Sequence, residues 1–320
     1  MIYFLVTLII VTVPGFLIFH FYRINRLKKD YENWDFEQEK EKENLHFINK
    51  ELEEKNRYIT ESIEYAKKIQ EAIFPRPEYV NQYLPHSFGI YKPKEIVGGD
   101  FVWFSFKDNI AFMAVVDCTG HGVPGAFLSV LGNTLLNHIV NEKDVHVPAA
   151  ILGELNNEVQ KALHQDTRDT EVLEGMDIAL CSIEMKVENG QFVANTLNYA
   201  GSFRPLYFIT KNKNGENALQ EYKANKLAIG GAITIDNKPF VNHTIELKKG
   251  DSFYIFSDGV THQFGGKKGK KLNGKRLKEL LLDVQKYDME QQKFYVEKEL
   301  QAWKGNYKQT DDLLLVGIKI

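Results

Sequence analysis

The sequence predicts an α+β protein in three parts: an apolar segment at residues 1–22, a heptad-patterned helix at 23–75, and a strand-rich domain at 76–320. Three observations predict it. Ile2 to Tyr22 carries no charged residue, and Ile24 to Ile73 keeps a single heptad phase. Beyond Pro77, short β-branched and aromatic runs alternate with Gly, Asn and Asp turns, interrupted by two stretches of helical apolar spacing.

Composition limits the function classes. A chain of 320 residues allows one large domain and a smaller appendage. Its net charge of −3 gives no electrostatic case for a nucleic-acid partner, and 43% hydrophobic content is ample for a core. Cys118 and Cys181 form no disulfide framework; each lies in an apolar stretch, which fits a reduced, cytosolic setting.

As a helix, Ile2–Tyr22 would span about 31 Å at ~1.5 Å per residue, matching a bilayer core. It reads as one membrane span, in which Pro14-Gly15 is tolerated. A cleaved signal peptide is the rival, but there is no basic n-region, the apolar run is too long, and no small-x-small site follows. Arg23, Arg26, Lys28 and Lys29 flank the C-terminal side, so the expectation is a single-pass protein of the cytoplasmic membrane with the rest of the chain in the cytoplasm.

In the next segment the a positions are Ile24, Tyr31, Gln38, Leu45, Leu52, Ile59, Ala66 and Ile73; the d positions are Leu27, Trp34, Glu41, Ile48, Lys55, Ser62 and Ile69. Eleven of these fifteen are apolar, and the residues between are mostly polar. That pattern is a coiled coil. About 50 residues would make a stalk of roughly 75 Å. A parallel homodimer is expected, the alternative being a lone amphipathic helix folded on the domain. Pro75 and Pro77 must stop the helix, and Ile69, Ala72, Ile73 and Phe74 are available to pack on the domain.

Within the domain, Val123–Val140 and Pro148–His164 have helical apolar spacing. Strands are expected near Ile178–Val187, Gln191–Tyr199, Pro205–Thr210 and His243–Leu247, with turns at Glu188-Asn-Gly190 and Asn212–Gly215. Gly265–Arg276 carries six basic residues among glycines. It reads either as a solvated loop or as a flap whose lysines, Lys267 and Lys268 among them, meet an acidic or phosphorylated partner.

The chemistry concentrates at strand ends. Asp100 follows Gly98-Gly99, and Asp117 ends the apolar run from Ile110, with Gly120, His121 and Gly122 just beyond. Asp258-Gly259 closes Phe253–Phe256, and Asp311-Asp312 precedes a terminal strand. A carboxylate beside a glycine-bounded loop can hold an oxygen-loving cation together with main-chain carbonyls. Any one Asp-Gly is most simply a turn. Four such carboxylates meeting would suit two divalent ions sharing a water. Asp177, before a strand, is either a further contact or a turn residue.

The elements GGDF (Gly98–Phe101), DCTGHGVPGAF (Asp117–Phe127), NYAGSFRPLYF (Asn198–Phe208), SDGV (Ser257–Val260) and TDD (Thr310–Asp312) occur in this order. Together they resemble the SpoIIE-like bacterial phosphatases, a branch of the metal-dependent PPM (protein phosphatase 2C) family, over about Ala66 to Ile320. The resemblance implies an αββα fold, a β-sandwich flanked by helices, with two Mn²⁺ or Mg²⁺ ions and hydrolysis of phosphoserine or phosphothreonine on a protein. By position it makes Asp117 the bridging carboxylate, Cys118 a main-chain carbonyl ligand, and Asp100, Asp258 and Asp311 further ligands. His121 is the candidate general acid, at a spacing from Asp117 unlike the eukaryotic pattern; Gly120, Gly122, Arg204, Lys267 and Lys268 are candidate substrate contacts. Where many relatives carry a His in an Asn-Ala-Gly-His loop, this chain has Ser202 and Arg204. A phosphorylated anti-sigma-factor antagonist is the implied substrate; a membrane-anchored, non-catalytic scaffold of the same fold is the alternative.

Overall fold

The computed structural model describes residues 1–165, 173–188, 191–231 and 239–320, and for residues 4–12 and 191 the backbone only. It divides into two compact units, Met1–Ser62 and Ile63–Ile320.

The first unit is a single stretch of α1 (Ile2–Ile73), which keeps its helical path through Pro14. The expected span Ile2–Tyr22 is helical, with the side chains of residues 4–12 outside the description. The heptad residues Ile24, Leu27, Trp34, Leu45, Ile48, Leu52 and Ile59 are all exposed. Ion pairs one turn apart, such as Glu51–Lys55 at 2.8 Å and Arg57–Glu61 at 3.9 Å, decorate the helix. Screened surface pairs contribute little, so this unit holds an apolar seam with nothing of its own to cover it.

In the second unit the prolines act as expected. α1 ends at Ile73, and Pro77 opens α2 (Pro77–Tyr83), where its missing N–H is no loss. Then come β1 (Ser87–Lys92), β2 (Phe101–Lys107), β3 (Ile110–Cys118), α3 (Gly122–Asn137) with a π-helical extension His138–Glu142, and α4 (Pro148–Ala162). They are followed by β4 (Gly175–Glu188), β5 (Gln191–Ser202), β6 (Leu206–Lys211), β7 (Asn217–Tyr222), β8 (Ile229–Gly230), β9 (His243–Glu246) and β10 (Ser252–Phe256). The chain closes with α5 (Asp258–His262), β11 (Phe264–Gly265), β12 (Lys270–Lys271), α6 (Asn273–Asp283), α7 (Met289–Lys304) and β13 (Leu313–Lys319).

Two antiparallel sheets stack face to face. One has the order β1-β13-β10-β6-β7; the other runs β2-β3-β4-β5-β9, with β8 also paired to β4. Alternation along β3 shows how the layers form. Ala111, Met113 and Val115 point into the inter-sheet core with Phe253, Ile255, Leu314 and Val316, while Phe112, Ala114 and Val116 point outward beneath Leu136, Ile151 and Leu155 of α3 and α4. Burial on both faces explains why this strand is an unbroken apolar run. On the far side Leu277, Leu281, Val296 and Leu300 of α6 and α7 cover Tyr254, Phe256 and Leu315. The layers are therefore α-β-β-α. Gly122–Glu142, apolar and long enough to cross a bilayer by composition, is a core helix here.

Three expectations change. α6 and α7 lie where no helix was expected, although Leu277 and Leu281 carry the one-turn spacing. Gly265–Arg276 is more ordered than an open loop: it forms the β11–β12 hairpin, with Lys267, Lys268, Lys270 and Lys271 exposed to solvent, and the start of α6, held by Gly266 N–H donating to the Trp303 carbonyl at 2.8 Å. The Arg276 guanidinium stacks 4.2 Å from the Trp303 ring. At the junction, Ile69 and Ala72 are exposed, and it is Gln70 that is buried against the domain, with Phe74 stacked on Phe101 at 5.9 Å. Of the two expected turns, Asn212–Gly215 joins β6 to β7; residues 189–190 of the other lie outside the described residues.

Candidate metal centre

The Gly98–Asp100 loop is held from three sides. Asp312, buried just before β13, accepts the Lys94 N–H at Oδ1 (2.7 Å) and the Gly99 and Asp100 N–H groups at Oδ2 (2.7 and 3.2 Å). Both carboxylate oxygens are thus engaged by backbone, as in an anion nest. Gln70 donates to the Gly98 carbonyl at 2.7 Å and to Ser129 Oγ at 2.8 Å, so the last turns of α1 grip the same loop. Gly99 has no room for a side chain: a Cβ there would stand 2.5 Å from the Gly120 carbonyl oxygen and 3.3 Å from that of Cys118. That crowding brings the Cys118 carbonyl up against the Asp100 loop.

Around this loop the carboxylates gather from separate elements. Asp100 immediately precedes β2, Asp117 lies near the end of β3 and directly opposite Asp177 of β4, Asp258 opens α5, and Asp311 precedes β13. The Asp258 N–H donates to Asp117 Oδ2 at 3.2 Å. Burial, reinforced by the neighbouring charge of Asp117, drives the Asp100 carboxyl well above its usual range. Burial also lifts Asp117 to about 7, against the pull of Arg204, and raises Asp177 and Asp311. Asp100 Oδ2 is buried with no hydrogen-bond partner among the described residues.

Arg204 enters this anionic cluster. β5 ends in a three-residue turn closed by Arg204 N–H to the Ser202 carbonyl (2.6 Å), and Ser202 Oγ is anchored on the Leu227 carbonyl. From there the guanidinium reaches Asp177 at 2.6 Å, Asp258 at 3.1 Å and Asp117 at 3.5 Å. Its Nε, the atom nearest Asp117, is buried and makes no hydrogen bond among the described residues. Arg204 offsets the mutual repulsion of Asp117, Asp177 and Asp258, while Asp100 and Asp117 hold their protons more readily than ordinary carboxyls.

His121 caps α3, between Gly120 and Gly122, which both have positive φ. Its Nδ1 lies 2.6 Å from Glu95 Oε1, a partner that nothing in the sequence pattern marked. The structure therefore brings Asp100, Asp117, Cys118, Asp258, Asp311 and Arg204 together, with Gly120, His121 and Gly122 on the loop beside them. Lys267 and Lys268 sit instead on the β11–β12 hairpin, which is fastened to Trp303 and Tyr307. Asp177 joins through Arg204, and Asp312 is a clamp rather than a free ligand.

The residues fit a divalent cation. The candidate ligands are oxygens, Asp100 is buried and the other carboxylates half-buried, they repel one another, and Asp100 Oδ2 lacks a donor among the described residues; a hard cation would offset the repulsion and fill the missing contact. A second grouping, Asp108, Asp144 and His146, also brings three possible ligand atoms within 4.8 Å of one another. It lies at the opposite end of β3, roughly 25 Å along the strand from Asp117 at ~3.3 Å per residue. There Lys107 already pairs with Asp144.

Two stacked sheets flanked by helices, with carboxylates meeting at the strand ends, define a phosphatase domain of the PP2C type. Residues 107–320 match the family described as stage II sporulation protein E, and the chain belongs to this SpoIIE family. The structure is similar to the SiaA-PP2C domain of Pseudomonas aeruginosa, at 29% identity and a TM-score of 0.70, covering 83% of this chain and 98% of that one. It shares the fold of the PP2C domain of SpoIIE from Bacillus subtilis, at 17% identity and a TM-score of 0.55, covering 73% of this chain and 62% of that one. By sequence it is 25% identical over 203 residues to phosphoserine phosphatase RsbU of Bacillus subtilis (strain 168). The alignment covers 63% of this chain and spans about half (54%) of that relative's length. Phosphatases of this class depend on divalent metal, Mn²⁺ or Mg²⁺.

Proposed function

We propose that this chain is a membrane-anchored, metal-dependent phosphatase that hydrolyses phosphoserine or phosphothreonine on a signalling protein, with an anti-sigma-factor antagonist as the substrate class. The observation that carries the reading is the buried, donor-less Asp100 Oδ2 beside Asp117, whose own carboxyl is lifted to about 7. Asp100, Asp117, Asp258, Asp311 and the Cys118 carbonyl would hold two ions. Such ions lower the pKa of bound water toward neutrality and neutralise phosphoryl oxygens.

The chain's own residues supply the rest. Asp312 and Gln70 fix the loop that carries Asp100. Arg204, tethered to Asp177, holds its guanidinium among the carboxylates where a phosphoryl oxygen would be bound. His121, held by Glu95 through Nδ1, presents Nε2 as the proton donor to the departing seryl or threonyl oxygen.

The N-terminal unit supports a second part of the proposal. An uncharged Ile2–Tyr22 helix followed by Arg23, Arg26, Lys28 and Lys29 is read as a single-pass anchor with a cytoplasmic catalytic domain. The uncovered a and d seam from Ile24 onward is read as the contact of a parallel homodimer.

The test is turnover of a phosphoserine peptide by the purified chain with Mn²⁺. Asp117→Asn should abolish it while the melting curve still shows a cooperative fold. Activity above about a tenth of wild type would sink the metal role of Asp117. No Mn²⁺-dependent turnover by wild type would favour the non-catalytic scaffold.

A further inference from the structure

We propose that Phe203 is a specificity-determining substrate contact: its exposed ring receives an apolar side chain next to the phosphorylated residue of the protein substrate. The proposal rests on the phosphatase reading and deepens it.

The backbone makes the first argument. Phe203 is the central residue of the Ser202–Arg204 turn and has φ of 54°, in the left-handed region. A three-residue turn of this hand is the strained form, and a residue with a bulky Cβ substituent is poorly suited to it. Glycine or asparagine would make the same turn with less strain. The turn is tied down on both sides, by Phe203 N–H to the Asn225 carbonyl (2.8 Å) and Asn225 N–H to the Gly201 carbonyl (2.9 Å). Aiming Arg204 at the carboxylates therefore needs this backbone, but it does not need a phenyl ring.

Exposure makes the second. Phe203 is 45% exposed, so packing inside the chain recovers only part of what burying the ring would give. An aromatic residue held in a strained conformation and left half in water is the kind of outlier that marks contact with something else.

Position makes the third. The next residue, Arg204, touches Asp117, Asp177 and Asp258. The backbone of Phe203 itself bridges to Ile178, the neighbour of Asp177. The backbone of Phe203 therefore lies beside the carboxylate cluster, and its half-exposed ring is carried by the residue next to the guanidinium. A phosphoserine placed there would bring its flanking residues over the ring. Phe127 and Val123, exposed on the first turns of α3 after the Asp117 loop, add apolar surface next to that loop. Exposed apolar side chains thus accompany a centre lined with carboxylates, and that combination suits a phosphorylated segment with an apolar neighbour.

The experiment uses the full chain with Mn²⁺ and two phosphoserine peptides that differ only at the residues flanking the phosphoserine, leucine in one and serine in the other. Wild type should prefer the leucine peptide at least fivefold in kcat/KM, chiefly through KM. Phe203→Asn should reduce that preference below twofold while raising the melting temperature, and Phe203→Leu should keep most of the preference. The opposed movement of stability and selectivity separates a contact from a structural role, which would lower both together. A wild type indifferent to the flank, or a Phe203→Asn variant that keeps its preference, or one that loses equally on both peptides, would overturn the assignment. Failure of wild type to turn over either peptide overturns the phosphatase reading itself, and this proposal with it.

Discussion

Replacing Arg204 by Gln tests whether its guanidinium occupies ground that a divalent cation must take. It touches Asp258 at 3.1 Å and approaches Asp117 at 3.5 Å, and all three side chains are less than a quarter exposed. A cation coordinated by those carboxylates has to break or stretch the Asp258 contact, while the Asp177 contact at 2.6 Å can persist. A hydrogen bond to a charged group is worth about 1.5–3 kcal/mol net. At 1.4 kcal/mol per decade, its loss should tighten Mn²⁺ binding roughly ten- to hundredfold. Isothermal titration of the metal-stripped protein with Mn²⁺ reads this directly. The stripped variant should also melt lower than stripped wild type, because Asp117, Asp177 and Asp258 lose their shared counter-charge. Turnover should fall despite tighter metal, since the phosphoryl group loses its donor. Unchanged or weaker Mn²⁺ affinity would refute the reasoning and make Arg204 an organiser of the ligands instead of their competitor.

Three further outcomes are expected. In EDTA, the protein should lose stability as pH rises from about 5 to about 7: Asp100 and Asp117 keep their protons in the folded state at pH values where the unfolded chain has released them, so the folded state binds more protons and stability falls with pH. A melting temperature flat or rising over that window would contradict the raised carboxyls. Gln70→Ala leaves the Gly98 carbonyl and Ser129 hydroxyl without their donor, a loss of about 1–3 kcal/mol; it should lower the melting temperature and weaken Mn²⁺ affinity, and unaltered affinity would mean that the helix end does not steady the Asp100 loop. Leu45→Asp together with Ile48→Asp should convert residues 23–320 from dimer to monomer in sedimentation, and a wild-type fragment that already sediments as a monomer would remove the coiled coil.

What the sequence revealed and what it hid follow from the range of the interactions. Asp100, Asp117, Asp258 and Asp311 were legible because each adjoins the end of an apolar run, with glycine or a second Asp close by. The convergence of those strand ends is tertiary, and it was readable only through the resemblance carried by five ordered motifs. Asp312 looked like the second half of a pair, yet its acceptors serve amides 212 to 218 positions away, a relation that no local spacing announces. Glu95 and Gln70 were hidden for the same reason. α6 and α7 were missed because charged and amide side chains cover most of their surface and the apolar stripe is narrow, and the basic residues of Gly265–Arg276 outweighed Leu277 and Leu281. The segment Ile24–Ile73 was legible as a helix, whereas anything that would cover its exposed a and d residues lies beyond what one chain shows.

The position of β13 has a bearing on how the protein is made. This strand lies between β1 and β10, and the residue just before it, Asp312, grips the loop at Lys94, Gly99 and Asp100. The sheet therefore lacks one of its inner members until residue 319 has emerged from the ribosome, and the earlier strands must wait with their edges unpaired. The centre cannot be complete until this segment is in place, because Asp311 and the loop clamped by Asp312 both depend on it. A chain cut just before Thr310 would retain most of its core residues and yet lack Asp311 and the Asp312 clamp, so such a truncation should yield a silent product.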